Sequence, residues 1–285
     1  MKALIVGANG QLGRALLASL PDDVEAAAHD IDTLDVTDAR AVARAVEAER
    51  PDWIVNAAAY TAVDRAEADE PRARAINATA VGHLADAARA AGCRLAHVST
   101  DFVFDGLAGM PYVPDAAPNP LSAYGRTKLA GERLAGGDAL IVRTAWVYAP
   151  AGGNFVRTML RLMRERDEVR VVADQIGTPT YAPNLAACLW TLIGQEASGI
   201  HHYTDAGAAS WYDFAVAIQE EADARGLLET MVPVLPIATA DYPTPATRPA
   251  FSVLACGATY AALGGPAPHW RVALRTMLDR VQADG

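Results

Sequence analysis

Tyr124 and Lys128 stand four residues apart in Tyr124-Gly-Arg-Thr-Lys128. Residues at that spacing share one face of a helix, so a helical register sets a phenol beside an ammonium. A nearby cation favours phenolate, so the lysine is expected to draw the tyrosine pKa down from about 10 toward neutrality. A tyrosine tuned in this way can exchange a proton with a substrate oxygen. Upstream, the run Arg94-Leu-Ala-His-Val-Ser99 reads as a strand that delivers Thr100 and Asp101 at its end. Ligands of open α/β sheets bind at such strand ends. Thr100 offers a hydroxyl to a substrate oxygen, while Asp101 either bonds substrate or fixes its own loop.

A phenol, a hydroxyl and an ammonium act together only if the fold brings them to one edge, and the N-terminal half is patterned to do so. Ala3-Leu-Ile-Val6 is a short apolar strand that breaks at Gly7, and Gly7-Ala-Asn-Gly10-Gln-Leu-Gly13 runs into a helix over Arg14–Leu20. Strand, glycine loop and helix form the context of a dinucleotide fingerprint, here spaced GxxGxxG rather than GxGxxG. The helix N-terminus offers free N–H groups and a partial positive charge to phosphates. Gly7, Asn9, Gly10, Gln11 and Leu12 are therefore candidate cofactor contacts. A second strand over Val24–Asp30 ends at Asp30, about where an acid meets the adenosine ribose hydroxyls. That favours NAD over NADP, with the register left open by Asp32 and Asp35. Asp35 and Val36 are placed at the same edge of the cofactor site. A helix is expected over Asp38–Glu49 and a third strand over Asp52–Asn56. The strand delivers Ala57, Ala58, Ala59 and Tyr60, small residues for the most part, against which a flat cofactor can lie. One long Ala-rich helix is expected from about Glu67 to Ala91.

Gly106–Leu121 contains four prolines and is expected to be a structured loop. The Tyr124–Lys128 helix runs on to about Leu134, followed by a strand over Ala139–Arg143. Farther on, Ser210-Trp-Tyr-Asp-Phe reads as a capped helix start, and His201 and His202 as strand residues without a catalytic role.

Composition narrows the partners. A net charge of −10 disfavours nonspecific binding to nucleic acid or to an anionic membrane surface. Cys93, Cys188 and Cys256 are scattered, without a CxxC pair or Cys/His cluster, so neither a metal site nor a disulfide framework is expected. No apolar run reaches the length of a membrane span, and the N-terminus lacks the pattern of a signal peptide. A reducing cytoplasm is the expected location.

These segments carry a resemblance to the extended short-chain dehydrogenases/reductases, and within them to the dTDP-4-dehydrorhamnose reductase family. It rests on Val55-Asn-Ala-Ala-Ala-Tyr-Thr-Ala-Val-Asp-Arg-Ala-Glu67, Ser99-Thr-Asp-Phe-Val-Phe104 and Pro120-Leu-Ser-Ala-Tyr-Gly-Arg-Thr-Lys-Leu-Ala-Gly-Glu132. Arg143-Thr-Ala-Trp-Val-Tyr148, Asn154-Phe-Val-Arg-Thr-Met-Leu160, Asp174-Gln-Ile-Gly-Thr-Pro-Thr180 and Tyr242-Pro-Thr-Pro-Ala-Thr-Arg-Pro249 extend it to nearly the whole chain. Ala145 stands where that family commonly has serine, and Tyr60 where it commonly has histidine. Some members bind Mg2+ between subunits through glutamates, one of them early in the first helix. Arg14-Ala15 lacks it, so no metal is carried over, and monomer and homodimer both stay open.

The resemblance implies an α/β fold, a Rossmann-like doubly wound parallel sheet with a smaller C-terminal lobe. Residues 1–148 would bind NAD(P), with contributions from later segments, and 149–285 would mainly bind the nucleotide-sugar. It implies reduction of a dTDP-4-keto-6-deoxysugar by NADPH or NADH. In that reaction Tyr124 would donate the proton, Lys128 would lower its pKa and hold the nicotinamide ribose, and Thr100 would aim the ketone. Asp101, Phe102, Trp146, Asn154, Gln175 and Arg248 are the further substrate candidates, Trp146 as an apolar wall and Arg248 as a diphosphate clamp. An epimerase or dehydratase of the same fold is an alternative. The dehydratase is disfavoured because Phe102, not a second acid, follows Asp101. A noncatalytic regulatory subunit is a third, and would not need to retain Thr100, Tyr124 and Lys128.

Overall fold

The computed structural model describes residues 1–283. The chain begins as alternating strands and helices: β1 (Lys2–Val6), α1 (Gln11–Ala18), β2 (Glu25–His29), α2 (Ala39–Glu49) and β3 (Trp53–Asn56). Next come α3 (Val63–Ala68), α4 (Glu70–Arg74), a π-helical turn at Ala75–Thr79, α5 (Ala80–Ala91) and β4 (Arg94–Thr100). After the proline-rich loop stand α6 (Ala123–Ala135), β5 (Leu140–Thr144), β6 (Val147–Tyr148), α7 (Phe155–Glu165), β7 (Val169–Val172), β8 (Ile176–Gly177) and β9 (Thr180–Tyr181). The remainder comprises α8 (Ala182–Gly194), β10 (Gly199–His202), β11 (Ala209–Ser210), α9 (Trp211–Asp223), β12 (Val234–Ile237), α10 (Gly257–Ala262) and α11 (Trp270–Ala283).

Six strands form one sheet in the order β10-β5-β4-β3-β1-β2, and every pairing is parallel. This is the doubly wound α/β arrangement expected from the alternation. Successive strand residues point to opposite faces, and β1 shows it cleanly. Ala3 and Ile5 enter the apolar layer shared with α1 and α8, whereas Leu4 and Val6 enter the layer shared with α2 and α5. With both faces covered, the strands read as continuous apolar runs. Strand β10 and helix α8 come from beyond residue 148 and complete the sheet and one of its covers. A separate core forms among α7, α9 and α11 with β7, built around Leu160, Phe214, Leu274 and Met277.

One expectation fails. The segment Glu67–Ala91 is not a single helix but α3, α4, a π turn and α5. Pro71 lacks an N–H and is tolerated only in a first turn. Asp69 accordingly restarts the helix, accepting from the Arg72 N–H at 3.3 Å. Helix α1 also starts at Gln11, three residues earlier than its apolar pattern suggests, with Gly10 as its N-cap.

Helix α6 carries the Tyr124–Lys128 pair, and polar contacts fix where it lies. The Ser122 hydroxyl caps it by accepting from the Gly125 N–H, and Glu67 accepts from the Ala123 N–H at 2.7 Å. Gly131 lets it approach the π turn, since a Cβ there would fall 2.1 Å from the Asn77 carbonyl oxygen. Near its end, Glu132 takes two hydrogen bonds from the Arg143 guanidinium of β5, at 2.9 and 2.7 Å, with both residues buried. Ser99 of β4 also donates to Glu132, and Arg143 donates to the Pro114 carbonyl of the proline-rich loop.

Removing one partner of a buried pair leaves an uncompensated charge at a cost of about 3–5 kcal/mol. Glu132→Leu is expected to lower unfolding stability by about that amount, read as a lower urea midpoint at unchanged m-value. The double variant Glu132→Leu/Arg143→Met is expected to recover part of the loss. A double variant losing the sum of the two single losses would show that the pair is not coupled.

Candidate active site

The carboxyl edge of the sheet holds a cavity of about 620 Å3 lined by Gly7, Asn9, Gly10, Asp30, Asp35, Val36, Ala57, Ala58 and Ala59. All nine are cofactor candidates from the sequence, drawn from the ends of β1, β2 and β3. Gly7 adopts φ +77°, and a Cβ on it would fall 2.6 Å from the Ala58 nitrogen. The close approach of the β1 and β3 loops therefore depends on that glycine. Asp30 braces the fingerprint loop: its carboxylate accepts from the Asn9 N–H and the Ile31 N–H, both at 2.8 Å. Asp35 is tied to Thr37 through the backbone N–H and the hydroxyl, and these bonds hold its carboxyl below the usual range. Gln11 is not among the lining residues and its side chain bonds Asn154 and the Gly153 carbonyl, while Leu12 packs its side chain into the core.

The lining includes residues that motif reading missed, among them Ile31, Leu34, Thr37, Arg72, Ala75 and Ile76. Arg72 and Ile76 lie on the broken helix, where no periodic signal separates a cavity face from a solvent face. Asn77 was missed as well. It sits in the π turn, exchanges hydrogen bonds with the backbone of Tyr60 and donates to Thr127 of α6. A π turn in a helix is a frequent mark of a functional site. The available signal was a polar, poor helix former in an Ala-rich run.

Thr100, Tyr124 and Lys128 converge at the inner end of β4 and α6. Thr100 is buried; its hydroxyl donates to Asp101 at 3.0 Å and accepts from the Phe102 N–H. The Phe102 ring meets Tyr124 edge-on, with centroids 5.6 Å apart. Burial pushes the Tyr124 hydroxyl up to about 12, the neighbouring Thr100 hydroxyl opposes the shift, and Asp101 adds to it. The expected lowering by Lys128 does not occur. The Lys128 ammonium nitrogen turns into the sheet instead, 2.6 Å from the Val98 carbonyl oxygen and 3.3 Å from His97 Nε2. Burial pulls Lys128 down to about 8, against the Glu132 carboxylate, which raises it. The spacing placed both groups on one helix face but carried no information about which carbonyl the flexible lysine would find.

Asp101 is buried, and burial raises its carboxyl to about 6, opposed by the nearby Ser252 hydroxyl and by the Thr100 hydroxyl that bonds it. Its Oδ2 has no partner among the described residues.

The substrate candidates are dispersed. Trp146 stacks on Trp211 of α9 at 3.6 Å and 10°, and it adopts the unfavourable φ of +48°. A Cβ on Gly177 would fall 2.7 Å from its Cε2. The indole is thus packed on the first residue of the capped helix α9, at the edge of the α7–α9–α11 core. Asn154 caps α7 and donates to Gln11 and to the Ala149 carbonyl, clasping the fingerprint helix to the second lobe. Gln175 donates to Thr239. Arg248 forms a two-pronged pair with Asp64 of α3, at 3.0 and 2.7 Å, and also donates to Thr244 and the Ala246 carbonyl.

A parallel doubly wound sheet with this cavity and these three residues at one edge is the architecture of an extended short-chain dehydrogenase/reductase. The chain belongs to the RmlD substrate binding domain family, which it matches over residues 1–283. It is 44% identical to a dTDP-4-dehydrorhamnose reductase of Burkholderia thailandensis, over 96% of this chain and 97% of that protein. Its fold matches the crystal structure of a dTDP-4-dehydrorhamnose reductase from Clostridium acetobutylicum with TM-score 0.92 and 41% identity, covering 99% of this chain and 100% of that one. A second such reductase, from Bacillus anthracis in complex with NADP, matches with TM-score 0.92 and 36% identity, covering 98% of this chain and 99% of that one.

Because the folded pKa of Asp101 lies above its ordinary value, the folded state holds the extra proton between about pH 4 and 6. Its contribution to stability therefore falls as pH rises through that window and stays low above it. Asp101→Asn removes the penalised charge, so it is expected to melt higher than the parent protein at pH 8, with the gain shrinking at pH 4. A pH-independent offset in melting temperature would refute burial as the cause.

Proposed function

We propose that this chain is an NAD(P)H-dependent reductase that converts dTDP-4-dehydro-6-deoxy-L-mannose to dTDP-L-rhamnose, a step of dTDP-rhamnose biosynthesis. The observation that carries the assignment is near-full-length similarity to reductases of that name in a chain that also brings Thr100, Tyr124 and Lys128 together. The cradle fits a dinucleotide. Gly7 and the small residues Ala57, Ala58 and Ala59 leave room against the backbone, and the α1 N-terminus presents free N–H groups to phosphate. Asp30 lies on the ribose side, and Arg72 adds a cation to the same cavity. When bound, the cofactor supplies the hydride.

The protein supplies position and the proton. Thr100 hydrogen-bonds the ketone oxygen and aims the carbonyl. Tyr124 protonates the oxygen as negative charge develops there, which electrostatic stabilisation by fixed donors assists. A hydroxyl held at about 12 is fully protonated at neutral pH, so the proton is present when the alkoxide forms. Lys128 must turn from Val98 toward the nicotinamide ribose to favour tyrosinate afterwards. The unpartnered Asp101 Oδ2, next to Thr100, is a site for a sugar hydroxyl. Phe102 packs beside Tyr124 and narrows its approach.

The second lobe holds the nucleotide diphosphate. Arg248, oriented by Asp64 and a loop between prolines, is the phosphate clamp; its Nε–H has no partner among the described residues. Asn154 and Gln175 shape the lobe through their contacts with Gln11 and Thr239, and the Trp146–Trp211 stack forms its aromatic wall. Among the described residues no helix is long and apolar enough to cross a membrane, and we place the reaction in the cytoplasm.

Purified protein is expected to oxidise NADPH or NADH only when the 4-keto-L-sugar nucleotide is made in situ by the preceding dehydratase and epimerase reactions. Failure to form dTDP-L-rhamnose would sink the assignment. Tyr124→Phe is expected to lower kcat by about 10²–10⁴-fold with cofactor affinity, followed by nicotinamide fluorescence, little changed. Full activity in that variant would move the proton donor elsewhere.

A further inference from the structure

His97 lies in the interior of β4 and is fully buried, with no role in the chemistry above. Its register partner across the sheet is Asn56 of β3, also buried. The Asn56 carboxamide has a forced orientation. Its Oδ1 accepts from the Ala58 N–H at 3.1 Å, so its NH2 group must face the imidazole, where Nδ2 lies 3.0 Å from His97 Nδ1. Swapping the amide would set an NH2 group against the Ala58 N–H. His97 Nδ1 is therefore an acceptor. Burial first, and the Lys128 charge second, keep the ring neutral by lowering its pKa well below 6.5. A neutral ring that accepts at Nδ1 carries its proton at Nε2.

That Nε2–H faces the Lys128 amine nitrogen at 3.3 Å. A neutral amine has a lone pair to accept it; an ammonium offers only another N–H. The Val98 carbonyl, at 2.6 Å, accepts a lysine hydrogen in either state, more strongly from the ammonium, and it holds the nitrogen at the sheet in both. The other charged or titratable groups facing this spot are few. Glu132, one turn farther along α6, favours the ammonium, but it is already engaged by Arg143 of β5 and Ser99 of β4. Tyr124, one turn earlier, and Asp101 bear on each other rather than on Lys128. His97 and the burial of the site therefore oppose the charge, and Glu132 and the Val98 carbonyl support it.

We propose that His97 is a positioning residue for Lys128: clamped by Asn56 as its Nε2–H form, it presents a donor to the lysine, disfavours the ammonium at the sheet, and so turns the charged lysine out toward the cofactor ribose and Tyr124. This rests on the reading of Lys128 as the cofactor-binding lysine. The clamp is a property of the folded chain itself, whereas release of the lysine matters only in the reductase.

Two experiments test it. In the pH profile of kcat/KM for NAD(P)H, which reports the free enzyme, a basic limb is expected near pH 8, where Lys128 loses its proton. His97→Leu removes the donor to the neutral amine, so the limb is expected to rise by roughly one pH unit. His97→Gln, whose side-chain amide can still donate, is expected to stay close to the parent profile. A His97→Leu limb left in place, or moved equally by both variants, would overturn the proposal, even if overall activity falls. The second experiment needs no variant and no activity. In 15N NMR of the unmodified protein, the His97 ring nitrogens are expected to show the neutral Nε2–H pattern throughout pH 6–8. An Nδ1–H pattern, or a protonated ring, would overturn the clamp whether or not the chain proves to be the reductase.

Discussion

The buried Glu132–Arg143 ion pair is the constraint on which the geometry of the site depends. It joins α6 to β5, takes a third hydrogen bond from Ser99 of β4, and reaches the proline-rich loop through Pro114. Two charges in a dry interior are stable only when their remaining lone pairs and protons are satisfied. The pair therefore tolerates little movement of any of these segments. Lys128 lies one helical turn before Glu132, and Thr100 directly follows Ser99. The ion pair thus sets the distance between the helix that carries the phenol and the strand end that carries the hydroxyl. The π turn acts from the other side, where Asn77 ties the Tyr60 loop to Thr127 of the same helix.

Burial is the second theme. Tyr124 is raised, Lys128 lowered, Asp101 raised and His97 lowered, each mainly because water is excluded. All four shifts favour neutral forms. At neutral pH Tyr124 and His97 are neutral, whereas a lysine at about 8 stays mostly charged and a carboxyl at about 6 mostly ionised, so the proton donor is a neutral phenol flanked by groups close to their titration points. Asp101 is the exception in geometry: one oxygen is held by Thr100 and the other has no partner among the described residues. An orphaned buried oxygen is costly unless a ligand meets it.

Side chains add to the backbone pairing of β10 with β5 and of β6 with β9 in tying the later segments to the N-terminal half. Asn154 reaches Gln11 at the start of α1, and Arg248 reaches Asp64 of α3. Both residues are candidates from the sequence for contacts with a nucleotide-sugar, and both tie segments beyond residue 148 to helices of the N-terminal half. A residue that positions one wall against another can matter to binding through that contact as well as through any direct one.

Local pattern determined a good deal. The apolar runs of β1, β3, β4 and β5, the glycine break after β1, the Ser210 cap of α9 and the start of α6 were legible because each follows from neighbouring residues alone. The same holds for the shared helix face of Tyr124 and Lys128 and for the small residues along the cofactor cavity. Tertiary structure decided what depends on distant partners. The direction of Lys128 is set by Val98 and His97, the form of His97 by Asn56 41 residues away, and the packing of Trp146 by Trp211 and Gly177. The rise of Tyr124 rather than its fall follows from desolvation, which a spacing of four cannot report. Periodicity tells which face a residue occupies; the charge it can hold there depends on how much water the rest of the chain leaves it.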